Sequence, residues 1–209
     1  MIGLHISKAR KIFFLTSLKK TNLFKILFIF FMIGFVFGAV LIGFNHKETL
    51  NQLGFVLQKF ISTRIRQSFF SVFFSSIYKF FPLILIIFLA GFIPIGQPVS
   101  FFMPIFHGLG LGICTSFLYS SRGFNGFLFC ISLIAPCEII FSLIIILASK
   151  CSIQLSNKMF KNIFYRRFRK KNKLLLKEHV FIFLILLVLL VVAAFVDTIT
   201  TLIFARFFV

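Results

Sequence analysis

Acidic residues are scarce in this chain. Its 209 residues include 23 Lys and Arg but only 4 Asp and Glu, for a formal net charge of +19. The single aspartate, Asp197, excludes a two-aspartate intramembrane protease built within one copy. HExxH, GxSxG, GxGxxG and GxxxxGK followed by Ser or Thr are all missing, so the recognised zinc-protease, serine-hydrolase, dinucleotide and phosphate-loop signatures are excluded. The chain reads as a non-enzyme, with no catalytic residue, cofactor or metal expected. Cys114, Cys130, Cys137 and Cys151 form no CxxC pair. Three of them fall inside apolar runs, and they read as small helix residues rather than metal ligands or disulfide partners. Long polar stretches are lacking as well, which leaves no room for a separate soluble domain. Residues 1–209 read as one membrane domain.

What the chain has is apolar length. Hydrophobic residues make up 60%, 36 of the residues are Phe, and the mean hydropathy is +1.08. A soluble domain of this size could not hide so much apolar surface, so lipid must be the solvent for most of it. The sequence predicts an all-α polytopic membrane protein with transmembrane helices at 26–44, 80–96, 99–119, 124–148 and 180–205. The run 26–44 exceeds a signal-peptide core of about 7–15 residues and is read as an uncleaved span. Gly96, Gln97 and Pro98 are expected to form a tight turn between the second and third spans.

Positive charge sets the expected orientation. Residues 1–25 form a basic segment with Lys8, Arg10, Lys11, Lys19, Lys20 and Lys25. The 150–178 segment carries ten basic residues, Arg166, Arg167, Arg169, Lys170 and Lys171 among them. Five spans put both segments on one side, and the positive-inside rule makes that side cytoplasmic, with the C-terminus outside. Five basic residues between 45 and 79 oppose this weakly. The partner expected for the 150–178 loop is the anionic lipid surface, since no stacking platform or groove-reading motif points to nucleic acid.

The outer segment 45–79 carries an amphipathic pattern in which Leu50, Leu53, Leu57, Phe60, Ile61 and Ile65 recur at helical spacing. It would lie in the outer interface or pack back on the bundle. Two GxxxG pairs, Gly34 with Gly38 and Gly108 with Gly112, mark faces where helix backbones approach closely. Tight packing within the chain and self-association both satisfy that spacing.

The acids inside the apolar runs are Glu138 and Asp197. A charged side chain at the bilayer centre costs about 2.5–3.5 kcal/mol on insertion scales, so such residues face a bundle or a cavity. Pro136 is expected to kink the fourth span two residues before Glu138. An acid there would serve as a proton or ion site or, as we read it, as a hydrogen-bonded packing residue. For Asp197 two readings stand side by side: a polar clamp or partner contact, and an acid that reaches the outer interface. His107, in the third span, reads as a hydrogen-bonded structural residue, with a relay through Glu138 as the alternative.

An ordered set of features resembles the stage II sporulation protein M family, from about Asn22 to Arg206. It comprises Gly34-Phe35-Val36-Phe37-Gly38, then Gly91 through Ile95-Gly96-Gln97-Pro98, then Phe106-His107-Gly108-Leu109-Gly110-Leu111-Gly112. Gly123-Phe124-Asn125-Gly126-Phe127, Ala135-Pro136 and Val196-Asp197-Thr198-Ile199-Thr200-Thr201 complete it. Broader relatives carry His-Gly-x-x-Glu after the fourth-span proline, where this chain has Cys137, Glu138 and Phe141. His107 stands where the family usually has lysine. The resemblance implies a membrane scaffold for engulfment that positions membrane-anchored peptidoglycan hydrolases at the sporulation septum. A transporter or permease subunit, with His107, Glu138 and Asp197 lining a path, is the competing expectation.

Overall fold

A computed structural model describes residues 21–44, 68–164 and 170–205. Among them are five long helices and no strand. We label them α1 (Thr21–Phe44), α2 (Phe69–Phe92), α3 (Gln97–Phe129), α4 (Ala135–Phe164) and α5 (Lys170–Ala205). Each contains an apolar stretch of 22 to 28 residues, and about 20 suffice to cross a bilayer. The protein is an all-α polytopic membrane protein.

Helices α1 and α5 begin earlier than expected, at Thr21 and Lys170, and the larger differences from the expected spans are in three other places. The helix expected to begin at residue 80 begins at Phe69, which brings Lys79 from the outer segment to mid-span. Phe and Val dominate Phe69–Phe74, and two of the polar residues that follow, Ser76 and Lys79, have partners. Ser76 donates to the Val72 carbonyl at 3.0 Å within its own helix, and Lys79 finds an acid on α4. The tight turn comes earlier, at Ile93–Gly96, and Gln97 and Pro98 open α3. Proline fits a first helical turn because its missing N–H has no intrahelical partner there.

The largest difference is around the fourth span. The third spanning stretch ends at Ser121, and the chain breaks at Gly123, whose φ of 57° suits glycine. A π-helical turn, Cys130–Ile134, then leads into α4. The kink expected at Pro136 takes this form, a widened turn just before the proline. α4 continues to Phe164, so Lys150 and Ser152 lie buried within a helix rather than in the 150–178 loop. Small serines at 149, 152 and 156 let neighbours close over this end. Ser156 donates to the carbonyls of Ile93 and Pro94 at 2.9 Å, and Ser152 pairs with Ser100 at 2.8 Å.

α4 is the centre of the bundle. Of its most apolar stretch 67% is buried, against 28% to 33% in the other four helices. One core joins Phe80, Ile84 and Ile87 of α2 to Phe141, Ile145 and Ala148 of α4 and Phe183, Leu186 and Leu190 of α5. Phe80 and Phe141 stack with centroids 3.7 Å apart. A second core sets Leu27 and Phe31 of α1 against Ile146 and Ile153 of α4. Phe28, Ile33, Val36 and Phe37 face outward, as lipid-contacting residues do.

α1 lies along α3, and the two glycine pairs face each other. A Cβ on Gly34 or Gly38 would overlap the carbonyl oxygen of Ile105 or Leu109, and one on Gly108 or Gly112 that of Phe31 or Phe35. Ser116 donates across the same contact to the Ala39 carbonyl at 3.1 Å. Hydrophobicity does not drive helices together in lipid, so close backbone approach supplies the dispersion that does. The pairs are consumed within the chain.

Candidate functional site: an intramembrane polar cleft

The side of the bundle away from α1 is built differently. α2 and α3 share the tight turn and separate from it, leaving a cleft of about 450 Å³ with α4 as its floor. Lys79 and His107 sit near the middle of their spans, and Glu138 lies in the first turn of α4 at the same depth. Lys79 Nζ is 2.7 Å from Glu138 Oε1. His107 Nε2 lies 3.6 Å from Glu138 Oε2, close enough for charge interaction but too far for a hydrogen bond. The side chains of His107 and Glu138 are 8% and 9% exposed, while that of Lys79 is 48% exposed. Its ammonium also lies 4.6 Å from the Phe80 ring centroid, within cation–π range.

Asp197 of α5 closes the far end of the cleft. It is buried and accepts a hydrogen bond from Ser76 of α2. Thr198 and Thr201 beside it are buried as well, and Thr198 donates to the Ala194 carbonyl at 2.7 Å. Asp197 therefore ties α2 to α5 inside the bundle.

His107, Glu138 and Asp197, singled out from the sequence, line one cleft. The Nε2 of His107 has no hydrogen-bond partner. Its ring packs between Phe31 and Phe80, with centroids 5.9 and 5.8 Å away. Glu138 Oε2 is buried without a hydrogen-bond partner too. Gly34, Gly38, Gly108 and Gly112 stand apart from the cleft, on the α1–α3 contact. Leu53, Leu57, Arg166, Arg167 and Arg169 lie outside the described residues, and Lys170 and Lys171 open α5.

Sequence reasoning missed Lys79 and Ser76. A signal for Lys79 was present: an acid inside a membrane needs a counter-charge, and Lys79 abuts an apolar run. No group of three or more His, Cys, Asp or Glu able to hold a metal occurs among the described residues. Chemically, the cleft offers an ion pair between Lys79 and Glu138, one clamped acid, and a His107 Nε2–Glu138 Oε2 contact at 3.6 Å in which neither atom has a hydrogen-bond partner.

The family model for Stage II sporulation protein M matches residues 27–202. No curated protein and no solved structure matches the chain. The matched stretch runs from within the first span to near the end of the fifth, and the chain belongs to the stage II sporulation protein M family.

Proposed function

We propose that this membrane protein of sporulation is a non-catalytic scaffold of the engulfment complex, which recruits and positions membrane-anchored peptidoglycan hydrolases at the septal membrane. The family match over residues 27–202 carries the reading. A sequence without recognised catalytic motifs and a five-helix bundle fit a protein whose partners do the hydrolysis. The N-terminus is cytoplasmic and the C-terminus external in this reading. Helices α1 to α5 run alternately, so the start of α1, the Ile93–Gly96 turn, the end of α4 and the start of α5 share one end, and in sequence the two most basic segments adjoin those helix ends. Of the ten basic residues in 150–178, the nine other than the buried Lys150, each worth about 1 kcal/mol near an anionic surface, would hold that end to lipid.

Cell-wall enzymes work outside the membrane, so the exported side and the helices themselves are where a scaffold meets them. The outer segment, shortened by the early start of α2 to residues 45–68, carries the Leu53 and Leu57 stripe. Replacing both leucines by serine in full-length protein should abolish copurification of the hydrolases while the protein stays inserted. Survival of copurification, with loss on altering the basic loop instead, places recruitment on the cytoplasmic side. Labelling of Lys8→Cys by an impermeant reagent in intact cells, or protection of a cysteine added after Val209, reverses the orientation.

A second reading has one observation in its favour: His107, Glu138 and Asp197 line the same cleft. A permease subunit would use them along a path. Substrate flux in proteoliposomes, abolished by Glu138→Gln, would establish that reading.

A further inference from the structure

Three helices each bring one ionisable side chain to Glu138 or its neighbourhood on the cleft floor. Lys79 of α2 lies 2.7 Å from Glu138 Oε1, and His107 of α3 lies 3.6 Å from Glu138 Oε2. The first contact is a formed ion pair. The second is too long for a bond, because a charge-assisted N–H···O contact closes to about 2.7–2.9 Å. His107 Nε2 and Glu138 Oε2 are both buried, and neither has a hydrogen-bond partner. An ionised carboxylate only accepts, and a neutral imidazole carries its proton on one nitrogen and a lone pair on the other. With the ring proton on Nδ1, two lone pairs face each other. That arrangement accounts for the distance and for both unsatisfied atoms.

One added proton satisfies both atoms at once. Placed on Nε2, it makes the ring a cation that donates to Oε2, and the contact shortens by about 0.7–0.9 Å. The surroundings hold the ring in place for this. Phe31 of α1 and Phe80 of α2 pack against it. The titratable groups that line the cleft with it are Tyr78 and Lys79 of α2, Cys114 of α3, Cys137 and Glu138 of α4, and Asp197 of α5. Lys79 opposes a second cation, but it sits on the other oxygen of Glu138, so the carboxylate bridges the two bases. Asp197 is engaged by Ser76. Lys79 is 48% exposed near mid-span, and a charged group at that depth calls for a water-filled cavity. Water that reaches Lys79 brings protons to the same floor.

We propose that the His107–Glu138 contact is a proton-binding site inside the membrane, which takes up one proton on His107 Nε2 and then draws α3 onto α4 through a hydrogen bond to Glu138. A hydronium ion in the cleft gives the proton and becomes water. Glu138 stays ionised, and the charge of the site rises by one. A second buried histidine in the same chain lacks this arrangement. His179 also has a buried Nε2 without a hydrogen-bond partner. Its ring packs among Phe88, Phe92 and Phe183, and a Cβ on Gly91 would lie 2.7 Å from its Nε2. A proton added there faces a glycine rather than a carboxylate. The inference goes beyond the scaffold reading and holds whichever partner the protein recruits.

The test is nitrogen NMR of the full-length protein in lipid bilayers, with isotope-labelled histidine rings, titrated from about pH 8 to about pH 5, the interval in which histidine ordinarily changes charge. The nitrogen shifts report which ring atoms carry protons. The His107 signals are those that His107→Gln removes. If that variant does not accumulate, they are those left when His5, His46 and His179 are replaced by Gln. The expected result is a ring protonated on Nδ1 alone at the alkaline end and on both nitrogens at the acidic end. His179 should stay singly protonated throughout. Glu138→Gln removes the carboxylate charge and should leave His107 singly protonated at the acidic end as well. If that variant does not accumulate, the wild-type comparison of His107 with His179 decides alone. A His107 ring that is still singly protonated at the acidic end, or already doubly protonated at the alkaline end, overturns the proposal. So does unchanged uptake in Glu138→Gln, or parallel uptake by His179, because a facing carboxylate would then not be what holds the proton.

Discussion

Two faces of α3 meet very different surroundings. Towards α1, Gly108 and Gly112 press on backbone, and the contact has no space left for a methyl group. Towards α2, Gly110 looks into an open cleft above the Lys79, Glu138 and His107 charge cluster. The first face is finished: its motif is satisfied by another motif in the same chain, with nothing left to recruit a second copy through those glycines. The second face leaves open space beside its glycine. Residues spent on holding the fold together and residues facing open space thus lie on one helix, separated by its rotation.

The largest effect should come from breaking the finished face. Gly34→Leu or Gly112→Leu drives a side chain into the carbonyl of Ile105 or Phe35. Overpacking costs about 1–3 kcal/mol and occasionally more, and backbone on the other side cannot yield as a side chain would. Unfolding in mixed detergent micelles should show a loss at or above the top of that range. A neutral result at both positions means that α1 and α3 do not meet through these glycines.

Breaking the ion pair comes next. Lys79→Met leaves Glu138 without its cation, and removing one partner of a buried pair costs about 3–5 kcal/mol. The half-exposed ammonium places the expected loss near about 3 kcal/mol. Lys79→Met with Glu138→Gln should recover much of it in a double-mutant cycle. Additive losses would show that the two residues do not interact.

How much of this was legible follows from the kind of signal each feature leaves. Length and apolarity gave five spans because every helix exceeds bilayer thickness by composition alone. The GxxxG pairs could be read as packing faces, but spacing on one helix says nothing of which helix lies opposite. The start of α2 was missed because Ser76 and Lys79 look like loop residues until their partners are known. Ser76 is at home in a span only because Val72 and Asp197 accept from it, and Lys79 only because Glu138 lies across the cleft. Such pairings are non-local, and periodicity is blind to them. The displacement of the fourth helix has the same origin: Lys150 looks like a span's end and is instead buried within α4.

Removing the clamp is a smaller change. Ser76→Ala deletes the donor to Asp197. Interhelical hydrogen bonds in membranes average about 0.6 kcal/mol and reach about 1.7. A loss inside that range in the same unfolding assay is expected, and one well above it would give Asp197 a larger structural part than a single clamp.

The most direct measurement sets Gly108→Leu beside Gly110→Leu in the full-length protein, scoring unfolding stability. One residue separates the two glycines, which take the same substitution on opposite faces. Gly108→Leu should lose stability, while Gly110→Leu should keep near-native stability. Equal loss of stability at both positions would contradict the division of α3 into a finished face and an open one.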